Sequence, residues 1–430
     1  MCRNRLLSVL FLILMAQSVV GQVTLEDCYA KSRANYPRIV QFGLIEQSRE
    51  YTLSNAAKGY LPRFSLSAKA TLQSEVVEIP VSVPGLKPLN KDQYQVAAEV
   101  NQLLYDGGAI KARQMAISAG SEVERNNLET DLYALKERID ALFFGVLMLN
   151  EQLLQNQLFA AELERNYKKV SGYLANGTAH QADLDAVGVE QVNNQQQRVA
   201  LEAMQKGYVQ MMVAMTGDSL PEGSAWVEPS LPGTPSMSEV SVLSQTASLS
   251  AIQRPELSLF QAQEDQWESQ KAIVLSDQKP RIHAFMQGAW GNPGLNMLKN
   301  EFSVYSLGGV RLTWNLGTLY TRKNDLALID LGKEKIEAHK ESFLYLLRQQ
   351  LIRQQAEIEK LQETMRYDEQ MIALRSNIRR AAEARFNNGI INVTDLMREM
   401  TAEQLAMQTQ TLHRIQLLQA LHTLKTLTNH

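Results

Sequence analysis

Two carboxylates stand at matched places in the chain. Asp183 follows Gly177 by six residues, and Asp395 follows Gly389 by six. A Gly at positive φ is a common way to end a helix. Each acid therefore falls on the first turn of a helix returning from a Gly turn. There a carboxylate suits the positive end of the helix dipole. Repeated around an axis, the same acid would form a ring that favours cations. Both readings stand for Asp395, and the dipole reading is preferred for Asp183. Arg398 or Arg385 could pair with Asp395. Other chemistry is missing from the pattern. The six His are scattered (180, 283, 339, 413, 422 and 430), with no HExxH helix among them. Met211, Met212 and Met215 have helical spacing, which reads as core rather than a soft-metal site. The Gly107-Gly108 and Gly308-Gly309 pairs sit at or within strand-like runs, and there is no phosphate-cradling loop. No nucleophile can be matched with a base. The sequence thus reads as non-enzymatic, without catalytic residues, cofactor or metal.

The chain that carries these residues has 430 positions, with 43 Lys+Arg against 46 Asp+Glu. A formal charge of −3 lacks the basic excess of a nucleic-acid binder. Two Cys cannot build a disulfide framework or a four-ligand zinc site. Residues 1–21 have Arg3 and Arg5, then an apolar core from Leu6 to Met15, then Val19 and Gly21 before Gln22. That is the layout of a signal peptide, and the core is too short to span a membrane. Its removal leaves Cys28 alone, which we read as packing. No later segment approaches 18 uncharged apolar residues, so the expectation is a secreted or periplasmic protein, or one that crosses a membrane by strands.

Self-similarity organises the rest. Asn35-Tyr36-Pro37 matches Gln253-Arg254-Pro255, and Leu61-Pro62-Arg63 matches Lys279-Pro280-Arg281 at the same offset. Tyr105-Asp106-Gly107-Gly108 resembles Trp314-Asn315-Leu316-Gly317, and Asp183-Leu184 matches Asp395-Leu396. The expected organisation is a signal peptide at 1–21, a first repeat at 22–216, a Pro- and Gly-rich linker at 217–236 and a second repeat at 237–430. Each repeat reads helix, strand, strand, long helix, Gly turn, helix. In the first long helix Leu128, Leu132, Leu135, Ile139, Leu142, Val146, Leu149 and Leu153 alternate fours and threes. A polar step at Asn156 follows, and the seam resumes to Leu174. Such a heptad seam makes helices supercoil. It returns in the second half from Leu344 to Ile372, with Asp368 in the place of Asn156, and then degrades at Arg375 and Arg379.

Period-two runs flank these helices. Phe64, Leu66, Ala68, Ala70 and Leu72 alternate with Ser65, Ser67, Lys69 and Thr71. Tyr94, Val96, Ala98 and Val100 alternate with Gln95, Glu99 and Asn101; Ile282, Ala284, Met286 and Trp290 alternate with His283 and Gln287. The fourth run, 302–314, alternates less cleanly. Runs of about ten residues match a tilted membrane strand. Four strands cannot close a membrane barrel, so the reading requires strands pooled from copies of the chain.

The repeat, the helix with an internal Pro before each first strand, the Gly-bearing corners and the helix–Gly–helix tips together resemble the outer-membrane efflux protein family, the TolC-like exit ducts, over residues 24–430. The resemblance implies a mainly α fold with membrane β: a homotrimer whose four strands per chain form a twelve-stranded barrel, joined to a long coiled-coil α-helical barrel. It implies a passive exit duct in the outer membrane of a Gram-negative bacterium, serving tripartite efflux or type I secretion. Its partners would be a periplasmic membrane-fusion adaptor, an RND or ABC inner-membrane pump and outer-membrane lipid, and no nucleic acid. The resemblance places adaptor docking at the tips Tyr173, Ala175, Asn176 and Gly177, and Phe386, Asn388 and Gly389. Asp183, Asp395 and Arg398 become candidates for the entrance constriction. Some family members carry a second acid where this chain has Arg398, so a doubled acidic ring is not expected. Thr178 and Asn392 are expected to cap the returning helices. The rival reading is a soluble periplasmic coiled-coil adaptor or structural protein.

Overall fold

The computed structural model describes residues 22–77, 88–219, 224–229 and 252–428. The expected signal peptide, most of the linker and the tip of the first hairpin lie outside these residues. The elements run β1 (Gln22–Val23), α1 (Leu25–Asn35), α2 (Gln41–Ala57), β2 (Arg63–Leu72), β3 (Asp92–Tyr105), α3 (Ala109–Ala175) and α4 (Gln181–Thr216), then β4 (Ala225–Trp226), α5 (Pro255–Asp277), β5 (Arg281–Asn292), β6 (Ser303–Thr313), α6 (Thr318–Asn387) and α7 (Val393–Thr428). They divide into two compact units. One takes 41–128 and 256–341; the other takes the chain up to Val40, 129–255 and 342 onward.

The first unit is built on an antiparallel sheet of order β2-β3-β5-β6. The register sorts its side chains by chemistry. Phe64 opposes Val100, which opposes Met286; Ala68 opposes Val96, which opposes Trp290 and then Val304. Ala284 opposes Val310, and Ile282 opposes Leu312. These residues make one nearly continuous apolar face. The other face carries Arg63, Ser65, Lys69, Gln95, Glu99, Gln287 and Arg311. β6 keeps the pattern because Val304, Val310 and Leu312 share parity across the Gly308-Gly309 pair. The apolar face is uncovered: Phe64 is 79% exposed, Leu66 77%, Val304 79% and Val310 67%. Outer edges of β2 and β6 have no strand partner among the described residues.

The strand-to-helix corners satisfy the helix starts. Asp106 is buried and accepts from the N–H groups of Gly108 (2.8 Å) and Ile110 (2.7 Å), tying down two orphan donors of α3. Asn315 accepts from Gly317 N–H at 3.1 Å before α6. No helix among the described residues is long and apolar enough to cross a membrane.

The second unit is helical, and its heptad seam is its core. Ile139, Val146, Leu149, Leu163 and Val170 of α3 are buried, as are Leu347, Ile358 and Leu361 of α6. The polar steps are paired. Asn156 donates to Asn194 Oδ1 at 2.8 Å and to the Asn194 carbonyl at 3.0 Å, and Asn194 returns a bond to the Asn156 carbonyl at 3.2 Å. Asp368 lies 2.6 Å from His413 Nδ1. Within the seam these pairs specify which turn of one helix meets which turn of the next. Near the chain start, Val23, Leu25, Cys28, Phe143, Phe144 and Met212 share one cluster, with Trp226 5.2 Å from Phe143. Burial pushes the Cys28 thiol up to about 11, as expected of a packing residue. Met212 is fully buried and Met215 packs against it, whereas Met211 faces outward.

Candidate functional site

The two helical tips are built alike. Gly177 takes φ 71° and Gly389 takes φ 70°. At the first, Gly177 N–H donates to the Leu174 carbonyl (3.0 Å) and Thr178 N–H to the Tyr173 carbonyl (2.9 Å). At the second, Gly389 N–H donates to Phe386 and Ile390 N–H to Arg385, both at 2.9 Å. This is the Schellman closure, and it needs a left-handed residue. A Cβ at either Gly would meet nothing within 4 Å, so backbone conformation, not space, demands glycine. Asn176 and Asn388 also match: each side-chain amide donates four residues back, at 2.9 and 2.8 Å.

The returning helices begin differently from expectation at one point. Asn392 caps α7, its Oδ1 accepting from Asp395 N–H at 2.8 Å. Thr178 does not cap α4; its hydroxyl donates back to the Tyr173 carbonyl at 3.0 Å. His180 stands at the N-terminus instead, and Asp183 accepts its N–H at 2.9 Å. The reason is spacing: His180, not Thr178, lies three residues before Asp183, where a reciprocal N3 acid can reach back.

The tip residues divide between rim and core. Ala175, Asn176, Gly177, Asn388 and Gly389 are exposed. Phe386 is not: it is buried among Leu163, Val170, Val187, Val393 and Leu396, and Tyr173 meets its ring edge-on at 5.9 Å. Phe386 is therefore corrected from a docking residue to the packing that ties one tip to the other, since a large apolar ring is worth more inside. Tyr173, half-buried, shares that role.

Asp183 serves its own helix start. Asp395 is also engaged, as Arg398 Nη2 lies 3.1 Å from its Oδ1 while Arg398 Nε lies 3.5 Å from Glu399. Glu399 continues to Arg375 at 3.6 Å. One turn further, Arg379 reaches Glu162 of α3 at 3.1 Å and holds the buried Glu403 of α7. The degraded seam at Arg375 and Arg379 is thus an ion-pair ladder joining α6 to α7 and α3. Sequence reasoning missed it; its signal was the pair Glu399 and Glu403, four residues apart in α7, matching Arg375 and Arg379, four apart at seam positions of α6. A second missed cluster surrounds the buried Asp140, which accepts from Tyr29 and from Thr426 at 3.4 Å and lies 3.5 Å from His422. Burial, then the Asp140 charge, hold the Tyr29 phenol far above its ordinary range. Among the described residues no group of three or more His, Cys, Asp or Glu is placed to hold a metal ion.

With this geometry in place, the comparisons are informative. The architecture superposes on the outer-membrane channel OprN with TM-score 0.67 at 12% identity, covering 94% of this chain and 89% of that one. It matches the outer-membrane protein VceC from Vibrio cholerae with TM-score 0.66 at 12% identity, covering 93% and 95%. The Campylobacter jejuni CmeC outer-membrane channel gives 0.64 at 11%, covering 94% and 85%. This is the TolC-like outer-membrane channel fold. No family model and no curated protein sequence matches the chain. The outer-membrane channel fold is thus shared at 11–12% identity, where neither a family model nor a curated sequence matches.

Proposed function

We propose that the chain is one subunit of a passive, non-enzymatic exit duct in the outer membrane of a Gram-negative bacterium. The observation that carries the reading is the sheet: one apolar face in the open, one polar face, and two free edges. In water each exposed Phe64, Leu66, Val304 and Val310 forgoes roughly 1.5–3 kcal/mol of burial. In a bilayer the same face is solvated by hydrocarbon, and edge pairing between copies removes unpaired N–H and C=O groups. The fold shared with OprN, CmeC and VceC supports this reading. Three copies give twelve strands and a bore wide enough for solute. The soluble-adaptor alternative leaves the apolar face without a function.

The helical unit then forms the periplasmic wall, as two structural repeats in each of three subunits. Its exposed rim at Ala175, Asn176, Gly177, Asn388 and Gly389 docks a periplasmic adaptor, which connects to an inner-membrane pump supplying the work. Asp395, neutralised by Arg398, narrows the entrance without shutting it, rather than selecting cations. The test is direct. The protein should fractionate with outer membranes, release only into detergent as an oligomer, and conduct ions in a planar bilayer. Recovery as a soluble monomer with no affinity for lipid would end the proposal. Asp395→Asn should loosen the entrance and raise leak conductance; unchanged conductance would return Asp395 to a helix-dipole role.

A further inference from the structure

The polar face of the sheet holds a charge excess that the duct reading leaves unused. Arg63 and Lys69 on β2, Arg281 on β5 and Arg311 on β6 share this face with a single strand acid, Glu99. At the foot of the sheet the face bounds a cavity of about 1210 Å³ together with ends of α2, α3 and α5. Its basic lining is Lys58, Arg63, Arg113, Arg281, His283 and Arg311. Two acids reach the cavity against five Lys and Arg, so an excess of positive charge remains. Asp106 accepts from the backbone of Gly108 and Ile110. Asp277 holds Arg281 at 2.7 Å. Among the described residues Lys58, Arg63 and Arg113 have no carboxylate partner, and Arg311 lies over the Phe285 ring at 4.7 Å, which leaves its charge uncompensated.

We infer that this basic cavity is the selectivity site of the duct and favours organic anions, carboxylates and phosphates, over cations. The inference rests on the reading of the polar face as the lumen. Guanidinium groups present flat forks that fit carboxylate and phosphate oxygens in pairs. Uncompensated charge in a cleft walled by low dielectric focuses field into the passage. A potential on the order of one kT there raises anions and depletes cations, for a ratio of about sevenfold. The acid at the entrance does not oppose this, because Asp395 is paired with Arg398. Three subunits would triple the basic set around one axis.

The experiment is a reversal-potential measurement on the full-length oligomer in a planar bilayer under a KCl gradient. Chloride should permeate severalfold better than potassium, more so in dilute salt, where screening weakens. In Arg63→Gln/Arg311→Gln the ratio should fall toward one. Arg63→Lys/Arg311→Lys, which keeps charge, should retain it. Inorganic phosphate should reduce the chloride current of the wild type more than that of the Gln variant. Oligomer on a gel confirms that each variant has folded. A conducting wild type that prefers potassium, or a ratio unmoved by the Gln pair, overturns the anion site and leaves the duct standing. An inserted wild-type oligomer that passes no current removes the duct and the anion site together.

Discussion

Placing a charge on the apolar face tests the membrane reading most sharply. Ala68 lies near the middle of β2, opposite Val96, in the row that continues to Trp290 and Val304. Its neighbour Ser67 points to the other face, beside Lys69. An Arg on the lipid side of a barrel strand costs about 2–4 kcal/mol at the bilayer midplane. Three subunits raise this to roughly 6–12 kcal/mol per barrel, close to the whole stability of an ordinary domain. Ser67→Arg enters a face that already carries Arg63 and Lys69, and a surface change of that kind stays within about 0.5 kcal/mol. The assay is insertion into phospholipid vesicles, read as the heat-resistant oligomer on gels and as the urea midpoint of the inserted protein. Ala68→Arg should lose most of the oligomer and Ser67→Arg should keep it. Retention of the oligomer by both variants would refute the claim that this face meets lipid, because a soluble sheet with both faces wet would tolerate either one.

Other outcomes follow from the helical unit. Gly389→Val should leave oligomer yield intact but lower export, since a β-branched residue at φ 70° costs about 1–2 kcal/mol in the turn; Gly389→Asn, which tolerates that conformation, should export normally. Asn156→Leu should destabilise by about 1–3 kcal/mol by leaving Asn194 unsatisfied, and the double Asn156→Leu/Asn194→Leu variant should recover much of it, both read by denaturant unfolding. Cys28 holds its proton in the fold up to about pH 11, against an ordinary value of 9.0. Its contribution is complete below pH 9 and declines as pH rises to about 11, so urea midpoints should fall over that window in the wild type and less in Cys28→Ala. A maleimide should label Cys28 only after unfolding.

Much of the fold was legible because its signals are local and periodic. The heptad run from Leu128 to Leu174 names its own buried stripe, and the alternation from Phe64 to Leu72 names its own faces. Gly177 and Gly389 announce the turns because few other residues adopt positive φ. Phe386 was misplaced because a ring beside a turn is compatible with either rim or core; only the meeting of α3, α4, α6 and α7 around it decided for core. Arg379 read as a fault in the seam for a similar reason. Of its three partners only Glu383 lies on the same helix; Glu162 and Glu403 come from two other helices, and nothing in the neighbourhood of residue 379 points to them.

The amino-acid order by itself determined the elements, their faces and their ends, since each depends on residues within a few positions of one another. Tertiary structure alone decided that β3 pairs with β5, joining two hairpins nearly two hundred residues apart in one sheet, and that six basic side chains from four separate segments surround one cavity. The physical reason is that pairing and charge summation depend on distance in space. A period repeats along the chain and can be read there, whereas an excess of charge in one cavity exists only once distant segments have been brought together with too few counter-charges among them.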